Sequence, residues 1–568
     1  MPHSLQSPPA GVFDGARVAP LAPLPLMVVA FLVVAYCLPV VLAYGPWKPD
    51  EPYIFGLVNH LLKTGDWVVP TLAGEPFMEK PPLMVWVAAL TASVLSPWLD
   101  LEYGARFAIL IFLAITFVTV GYTARRLWGV GSGRYAVLGM MAAMGMMQNG
   151  RMLVPDLPQM AGFAVTFAGL IIITERKWLG GVLLGTGAGL SFLGKGLLGP
   201  GVLTILALSL PLVSPYWRTQ QYLKGLLIAF VVSLLWLLIW PIAVYLRSPE
   251  LFIEWFMQNN IGRFLGFSVA RLGAAHDSGH LIKTIPWFTF PLLPLAILTV
   301  WRLRDALDKN RGVAICSLAF LIMLATFAFS ASAREVYLLP MLIPLAILAV
   351  PAALDLPAKL EAAFDWLARL LFGALLLLCW YLWFTAFVLG APPQWSVLAK
   401  HLPLNFPLVI EPLAMVAGGS LLAGWLWMLC RAPTMSARLL LSWAGGAVVL
   451  WATVFALLLP WIDAARSYQR VFTDLAQHMP ANQSSCLSTS GLGESERGML
   501  EYIVEVDQER IELSPNKDCP NLLLQSRGEV PALADAENWK LVWQGARPAE
   551  VRERFWLFQR IATPQEKV

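Results

Sequence analysis

Charge is scarce in this chain. Only 13% of its 568 residues are Asp, Glu, Lys or Arg, while 58% are hydrophobic, and a soluble protein of that size does not carry so little charge. The net charge of +4 is small and scattered over loops, so nucleic acid is not an expected partner. No glycine-rich phosphate loop follows a strand, which argues against a nucleotide cofactor or a soluble nucleotide donor. No short repeat of the solenoid kind is visible. The first apolar segment is long and lacks a small-residue cleavage site, so no cleavable signal peptide is expected. Cysteine is sparse too. Of the six, Cys37, Cys316, Cys379 and Cys430 lie in or beside apolar stretches and read as small hydrophobes. Cys486 and Cys519 stand in the polar C-terminal region, where an oxidising compartment would allow them to bridge.

What the chain does have is apolar runs of roughly 17–25 residues, recurring from Leu21 to Trp461, the length a helix needs to cross a bilayer. The expected class is an all-α polytopic membrane protein of about 13 spans, with a small α/β domain at its C-terminal end. Spans are expected to start near Leu21, Tyr103, Tyr135, Leu157, Leu179, Gly199, Gly225, Pro286, Val313, Val336, Trp366, Leu408 and Leu439. Alternate loops are short and basic, among them Arg125/Arg126/Arg134, Arg176/Lys177 and Arg302/Arg304/Lys309/Arg311. The positive-inside rule puts these in the cytoplasm, the N-terminus with them, and the C-terminus outside. Loops 44–102 and 248–285 and the turns near Asp156, Lys195 and Arg334 then face the periplasm. Residues 1–461 form the expected transmembrane domain. Residues 462–568 carry charge at ordinary soluble density and read as a periplasmic domain, with helices at Ser467–His478 and Ser495–Val504. Strands are expected at Ser484–Ser490, Leu522–Gln525 and Lys540–Trp543.

The chemistry-bearing residues all fall on the periplasmic side of this scheme. Asp50 and Glu51 end the first span's outer side, where a carboxylate can serve as a base or a metal ligand, or be simply solvated by headgroup water. Tyr53–Lys63 is amphipathic and reads as a helix lying in the interface. In Phe77-Met78-Glu79-Lys80-Pro81-Pro82 the prolines stiffen the backbone, so Glu79 and Lys80 are held at the membrane surface. Asp156 lies between Pro155 and Pro158, either as a helix cap or as a second acid facing Asp50. Lys195 is flanked by Gly194 and Gly196, with room for a phosphate or for snorkelling to headgroups. Arg263 can fork onto phosphate oxygens. Arg271, His276, Asp277 and His280 follow it, and His276 with His280 is a weak metal pair at helical spacing. Arg334 and Tyr337 stand at another span entrance. Cations and carboxylates from six segments could converge on one cavity suited to a lipid-linked phosphate donor and an acceptor.

The order Asp50-Glu51, Gly65-Asp66-Trp67, then Phe77-Met78-Glu79-Lys80-Pro81-Pro82, with Asp156-Leu-Pro, Lys195-Gly196, Arg263-Phe264 and Arg334…Tyr337-Leu-Leu-Pro340, resembles the GT-C glycosyltransferases of the protein O-mannosyltransferase superfamily. It looks most like the bacterial branch that includes the 4-amino-4-deoxy-L-arabinose transferases of lipid A. The resemblance implies an inverting transfer from a polyprenyl-phosphate sugar in the bacterial inner membrane. In it Asp50 is the principal catalytic carboxylate and Asp156 the second acid. Glu51, Lys80, Lys195, Arg263, Arg334 and Tyr337 contact the substrates, and Glu79 is a candidate contact for a divalent cation or the sugar. The family often carries His three residues before the Arg-Phe pair. This chain has Asn260 there, so that contact is expected to be absent or supplied by His276 or His280. Lipid A is the expected acceptor. An envelope protein is the enzymatic alternative, and a lipid-linked sugar flippase the non-enzymatic one. A flippase should carry its charges near the midplane on broken helices, whereas here they cluster at the outer span ends.

Overall fold

In the computed structural model of the chain, residues 24–42, 44–269, 279–306, 308–331, 334–431, 437–479, 486–513, 519–531, 533, 535–548, 550 and 553–561 are described. The long helices follow the hydropathy. Among the described residues, seven are long and apolar enough to cross a membrane, from Leu101–Trp128 to Arg438–Arg466. A further pair, His280–Phe288 and Leu292–Arg302, is bent by 88° at Thr289–Pro291, and four shorter apolar helices accompany them. The chain is thus a multi-pass membrane protein; the expected start at Leu21 lies outside the described residues, and each of the others falls on or beside a helix. Some of these helices are shorter than the span rule supposes. The helix near Tyr135 is broken at Ala143, which adopts an extended backbone between α5 (Ser132–Ala142) and α6 (Met144–Asn149). The helix near Leu157 is α7 (Asp156–Ile172), and all of its residues are buried by protein. Packed mainly against α4 (Leu101–Trp128) and α8 (Lys177–Lys195), it faces helices rather than lipid.

The polar loop after α1 (Leu26–Val41) is compact. Its helix α2 runs Glu51–Thr64, close to the expected Tyr53–Lys63, and ends at Gly65 in the left-handed region, φ 71°. A two-strand hairpin follows, β1 (Thr71–Leu72) with β2 (Glu75–Pro76), turned by Ala73 and Gly74 at positive φ. Pro82 then caps α3 (Leu83–Leu95). One expectation is corrected here. α2 does not lie in the interface with its apolar face on lipid, because Glu51 to Asn59 are all buried. What covers it is the C-terminal domain.

That domain begins after helix Arg438–Arg466, which extends past the expected boundary at 461. Helix Gln469–His478 and helix Glu494–Ile503 pack on a five-stranded sheet of order β4-β3-β5-β7-β6. Its strands are β3 (Leu487–Ser490), β4 (Gln508–Arg510), β5 (Asn521–Ser526), β6 (Trp539–Gly545) and β7 (Arg554–Arg560). β3 pairs parallel with β4 and β5, and β7 runs antiparallel to β5 and β6. Cys486 and Cys519 form a disulfide at the starts of β3 and β5. The sequence missed β4 and β7. β4 has three residues and no apolar alternation, and β7 alternates only weakly around Phe555–Phe558.

Helix Glu494–Ile503 crosses α2 at a pair of glycines. A Cβ on Gly56 would stand 2.7 Å from the Cα of Gly498, so only glycine allows the two backbones to approach this closely. Polar contacts surround the crossing. Lys48 pairs with Glu496 and, at 2.6 Å, with Glu553. His60 lies 2.7 Å from Glu501, whose other oxygen accepts from the Ala73 amide at 3.0 Å. Arg497 and Arg510 both meet Glu75, at 2.9 and 3.2 Å.

Candidate active site

Three carboxylate–cation pairs stand at the ends of these helices. Asp156 is the first residue of α7 and Lys195 the last of α8, and their side chains pair directly while both are nearly inaccessible. Asp156 makes no helix cap; its carboxylate goes to the lysine. The Lys195 ammonium also lies 3.3 Å from the centre of the Tyr337 ring. Gly196 turns the chain out of α8 at φ 86°, a backbone conformation that a side chain would strain. Second, Arg263 pairs with Glu79, which also meets Lys80 at 3.3 Å. Lys80 donates to the Tyr53 hydroxyl at 3.3 Å. Third, Arg334 forks onto Asp50, with Nη1–Oδ1 at 3.0 Å and Nη2–Oδ2 at 2.8 Å.

A cavity of about 410 Å³ joins part of this cluster to an apolar wall. Its charged lining is Glu79, Lys80, Lys195 and Arg263, joined by Tyr337 and by neutral polar groups that include Gln159, Asn259 and Asn260. From Lys195 the wall continues down α9 (Leu198–Val213) along Leu198, Val202 and Ile205, one face over two turns, or roughly 10 Å. Phe327 closes it from helix Arg311–Phe329. Ile205 and, further along the helix, Leu208 and Leu212 are exposed apolar residues of the kind that face lipid.

Charges in the loop are held firmly. Burial alone would raise the Glu79 carboxyl, but Lys80 and Arg263 outweigh it and push the value down to about 2. Burial would discharge Lys80, yet Glu79, Tyr53, Tyr337 and Asp50 keep it well above its ordinary value. Burial pushes the Tyr53 phenol upward, so it keeps its proton and can donate it. Glu79 does not fit the metal contact the resemblance suggests. Two cations already hold it, and a divalent ion would have to displace them. Among the described residues, no three of His, Cys, Asp and Glu gather in one place. His276, Arg271 and Asp277 lie outside the described residues, while His280 opens helix His280–Phe288.

Of the expected site residues, Lys80, Lys195, Arg263, Tyr337 and Glu79 meet in the cavity lining. Asp156 stands behind Lys195, and the Asp50–Arg334 pair lies outside the lining. Glu51 is not placed to touch substrate, and this corrects its expected role. It is 1% exposed, and its oxygens accept from the amides of Trp47 at 3.1 Å and Leu153 at 3.2 Å, with Arg106 at 3.6 Å. It is a brace between two loops. Asn260, where the family often has His, lines the cavity and is held there by its own bonds: its oxygen accepts from the Leu197 amide at 3.1 Å and its nitrogen donates to the Trp255 carbonyl at 2.8 Å. Two residues escaped the sequence reading. Tyr53 was legible as an aromatic one helical turn from Asp50. Glu494 was not, because it comes from the far end of the chain; desolvation and the nearby Glu79 charge push its carboxyl up to about 7.

The solved ArnT from Cupriavidus metallidurans bound to undecaprenyl phosphate superposes on this chain with a TM-score of 0.69, covering 94% of this chain and 97% of that one at 16% identity. The fold is of the GT-C type. The same protein in its apo state gives a TM-score of 0.65. Residues 79–241 match the family described as dolichyl-phosphate-mannose-protein mannosyltransferase. An undecaprenyl phosphate-alpha-4-amino-4-deoxy-L-arabinose arabinosyl transferase of Pseudomonas fluorescens (strain Pf0-1) is 29% identical over 57% of this chain and 56% of its own length. A transferase of the same description from Pseudomonas aeruginosa (strain UCBPP-PA14) is 30% identical over 54% of this chain and 55% of its own. The matched segments thus span a little over half the length of these curated relatives. The resemblance read from the sequence is found again: the family match meets the mannosyltransferase superfamily, and the curated relatives and the solved structure meet its aminoarabinose branch.

Proposed function

We propose that the protein is an inverting glycosyltransferase that moves 4-amino-4-deoxy-L-arabinose from undecaprenyl phosphate to lipid A, at the periplasmic face of the bacterial inner membrane. The observation that carries this reading is the cavity, with Lys80, Lys195 and Arg263 at its polar part and an apolar wall along α9 leading toward lipid-facing residues. A phosphate with a hydrocarbon tail fits that division, and a soluble sugar nucleotide has no use for the wall. The aminoarabinosyl transferases among its relatives supply the sugar. The alternation of basic loops supports the orientation, with the N-terminus in the cytoplasm and both site and C-terminal domain outside.

The reaction is a single displacement. An acceptor oxygen forms a bond to the anomeric carbon as the bond from that carbon to the donor phosphate oxygen breaks, and the electron pair leaves with the lipid phosphate. Lys80, Lys195 and Arg263 neutralise the charge that builds on this phosphate. For them to do so, Asp156 and Glu79 must share their cations with the incoming anion, so these carboxylates hold the cations in place before substrate arrives. Asp50, oriented by Arg334, faces the acceptor. It accepts a proton from a hydroxyl, or positions a phosphate that is already ionised. No step passes through a metal, since the surroundings of Glu79 suit a carboxylate held by cations. In purified protein supplied with undecaprenyl phosphate-linked aminoarabinose and lipid A, wild type should yield modified lipid A, and Asp50→Asn should lose at least about a hundredfold in rate. Full turnover by that variant, or product on envelope protein alone, would overturn the reading.

A further inference from the structure

A second group of guanidinium side chains surrounds the loop that carries Asp50, and the donor cavity does not use it. Arg151 lies after α6, its Cζ 5.3 Å from the Trp47 ring, 5.5 Å from Trp451 and 5.0 Å from Phe455. It donates to the Tyr44 hydroxyl at 3.3 Å, and its Nε is buried without a partner. Arg466 ends helix Arg438–Arg466 and is exposed. A backbone bridge between Trp47 and Ser467 brings it beside the same tryptophan, near enough to be repelled by Arg151 and Arg547. Arg470 lies over the Phe406 ring at 4.2 Å.

Among the described residues no carboxylate pairs with Arg151, Arg466 or Arg470. The acids nearby are occupied. Asp463 Oδ1 accepts from the Trp47 indole at 2.8 Å and the Gly45 amide at 3.1 Å. Glu51 braces two amides and Arg106, and Glu553 holds Lys48 and Arg547. Arg151 gives one N–H to the Tyr44 hydroxyl and pairs with no carboxylate, and Arg466 is exposed, so their guanidinium charge is left for an anion.

We propose that Arg151 and Arg466, with Arg470 at the rim, bind the phosphate of the acceptor lipid and so deliver it to Asp50. This rests on the glycosyltransferase reading above. Three features favour a phosphorylated lipid. Trp451, one turn from the buried Phe455 on a membrane-spanning helix, is only half-buried and gives an apolar surface next to Arg151 for the ligand's chains. Trp47, whose ring Arg151 covers, is three residues before Asp50, so one short stretch of chain carries both the platform and the carboxylate. And Glu51 ties the Trp47 loop to Leu153, two residues beyond Arg151, which fixes the platform against Asp50.

The test is direct binding of lipid A and of its dephosphorylated form to the purified full-length protein in nanodiscs of neutral lipid, with undecaprenyl phosphate measured in parallel. Arg466→Gln, an exposed position, and Arg151→Gln should each weaken lipid A binding at least about tenfold and leave undecaprenyl phosphate binding unchanged. Wild type should hold dephosphorylated lipid A no better than the variants hold lipid A. Equal wild-type affinity for the two forms overturns the proposal. So does equal loss of undecaprenyl phosphate binding, which would assign the arginines to the donor. Displacement of lipid A by phosphatidylglycerol in the nanodisc, at wild-type strength and arginine-dependent, overturns it in favour of a bilayer phospholipid. Failure of sugar transfer by wild type would sink the reaction but not the binding result, so the two readings fall separately.

Discussion

Two sets of cations flank the Asp50 loop, and they differ in one respect. On the donor side Lys195, Arg263 and Arg334 each hold a carboxylate. On the other side Arg151 and Arg470 lie over aromatic rings, Arg466 stands exposed beside them, and none of the three pairs with a described acid. A paired, buried cation is fixed in place, its desolvation offset by its partner, and an incoming anion must compete with that partner. A cation on a ring keeps its full charge available and gains less from the fold. The paired cations are therefore held in fixed positions, and the arginines keep their charge open to an anion.

The comparison can be broken most forcefully at Lys195. Lys195→Met leaves Asp156 buried without a counter-charge and should cost about 3–5 kcal/mol, read as a lowered unfolding temperature in detergent, together with loss of transfer. Adding Asp156→Leu should restore the unfolding temperature but not the transfer. If Lys195→Met unfolds like wild type, the pair is not what holds this end of the site. The matching change on the other side, Arg466→Gln, should move stability by no more than about 0.5 kcal/mol. Next in size is the crossing of α2 with the C-terminal domain. Gly56→Val forces a side chain into the Gly498 backbone and should cost about 1–3 kcal/mol, with faster protease cleavage between 466 and 494 as the reporter. Glu51→Gln keeps the shape but weakens the brace, for roughly 1–2 kcal/mol in the same unfolding measurement, and should raise KM for lipid A more than for the donor.

The smallest effect is a slope in pH. Glu494 carries a raised value of about 7 in the folded chain, so between its ordinary value and pH 7 the native state binds more protons than the unfolded one. Stability from this group then falls as pH rises through that window. Glu494→Gln should flatten the slope between pH 4.5 and 7. Glu79 has the opposite sign: its contribution is complete above its ordinary value and is lost only as pH falls toward about 2. Unfolding midpoints of wild type and Glu494→Gln across that range decide the point.

Much of this was legible in the sequence, because the signals were local. Apolar runs gave the helices, and the prolines beside Glu79, Lys80 and Asp156 marked where the chain is stiff next to charge. The cations of the donor cavity were found by type and position alone. What was not legible depends on distant segments meeting. Glu51 sits beside Asp50 in sequence, yet helix geometry turns it to the opposite side, into Arg106 and two backbone amides. Glu494 and Arg466 come from hundreds of residues away and bear no motif. α2 looked like an interface helix because nothing near it in sequence announces the helix that buries it.

That burial has a consequence for how the protein is made. The Asp50 loop emerges early in synthesis, while the residues that grip it, Glu496, Glu501 and Glu553, emerge among the last. Until they arrive, Lys48, His60 and the β1–β2 hairpin have no partners there. A chain interrupted before Glu496 would hold its helical body with the Asp50 loop ungripped. The C-terminal domain thus acts as a lock on that loop.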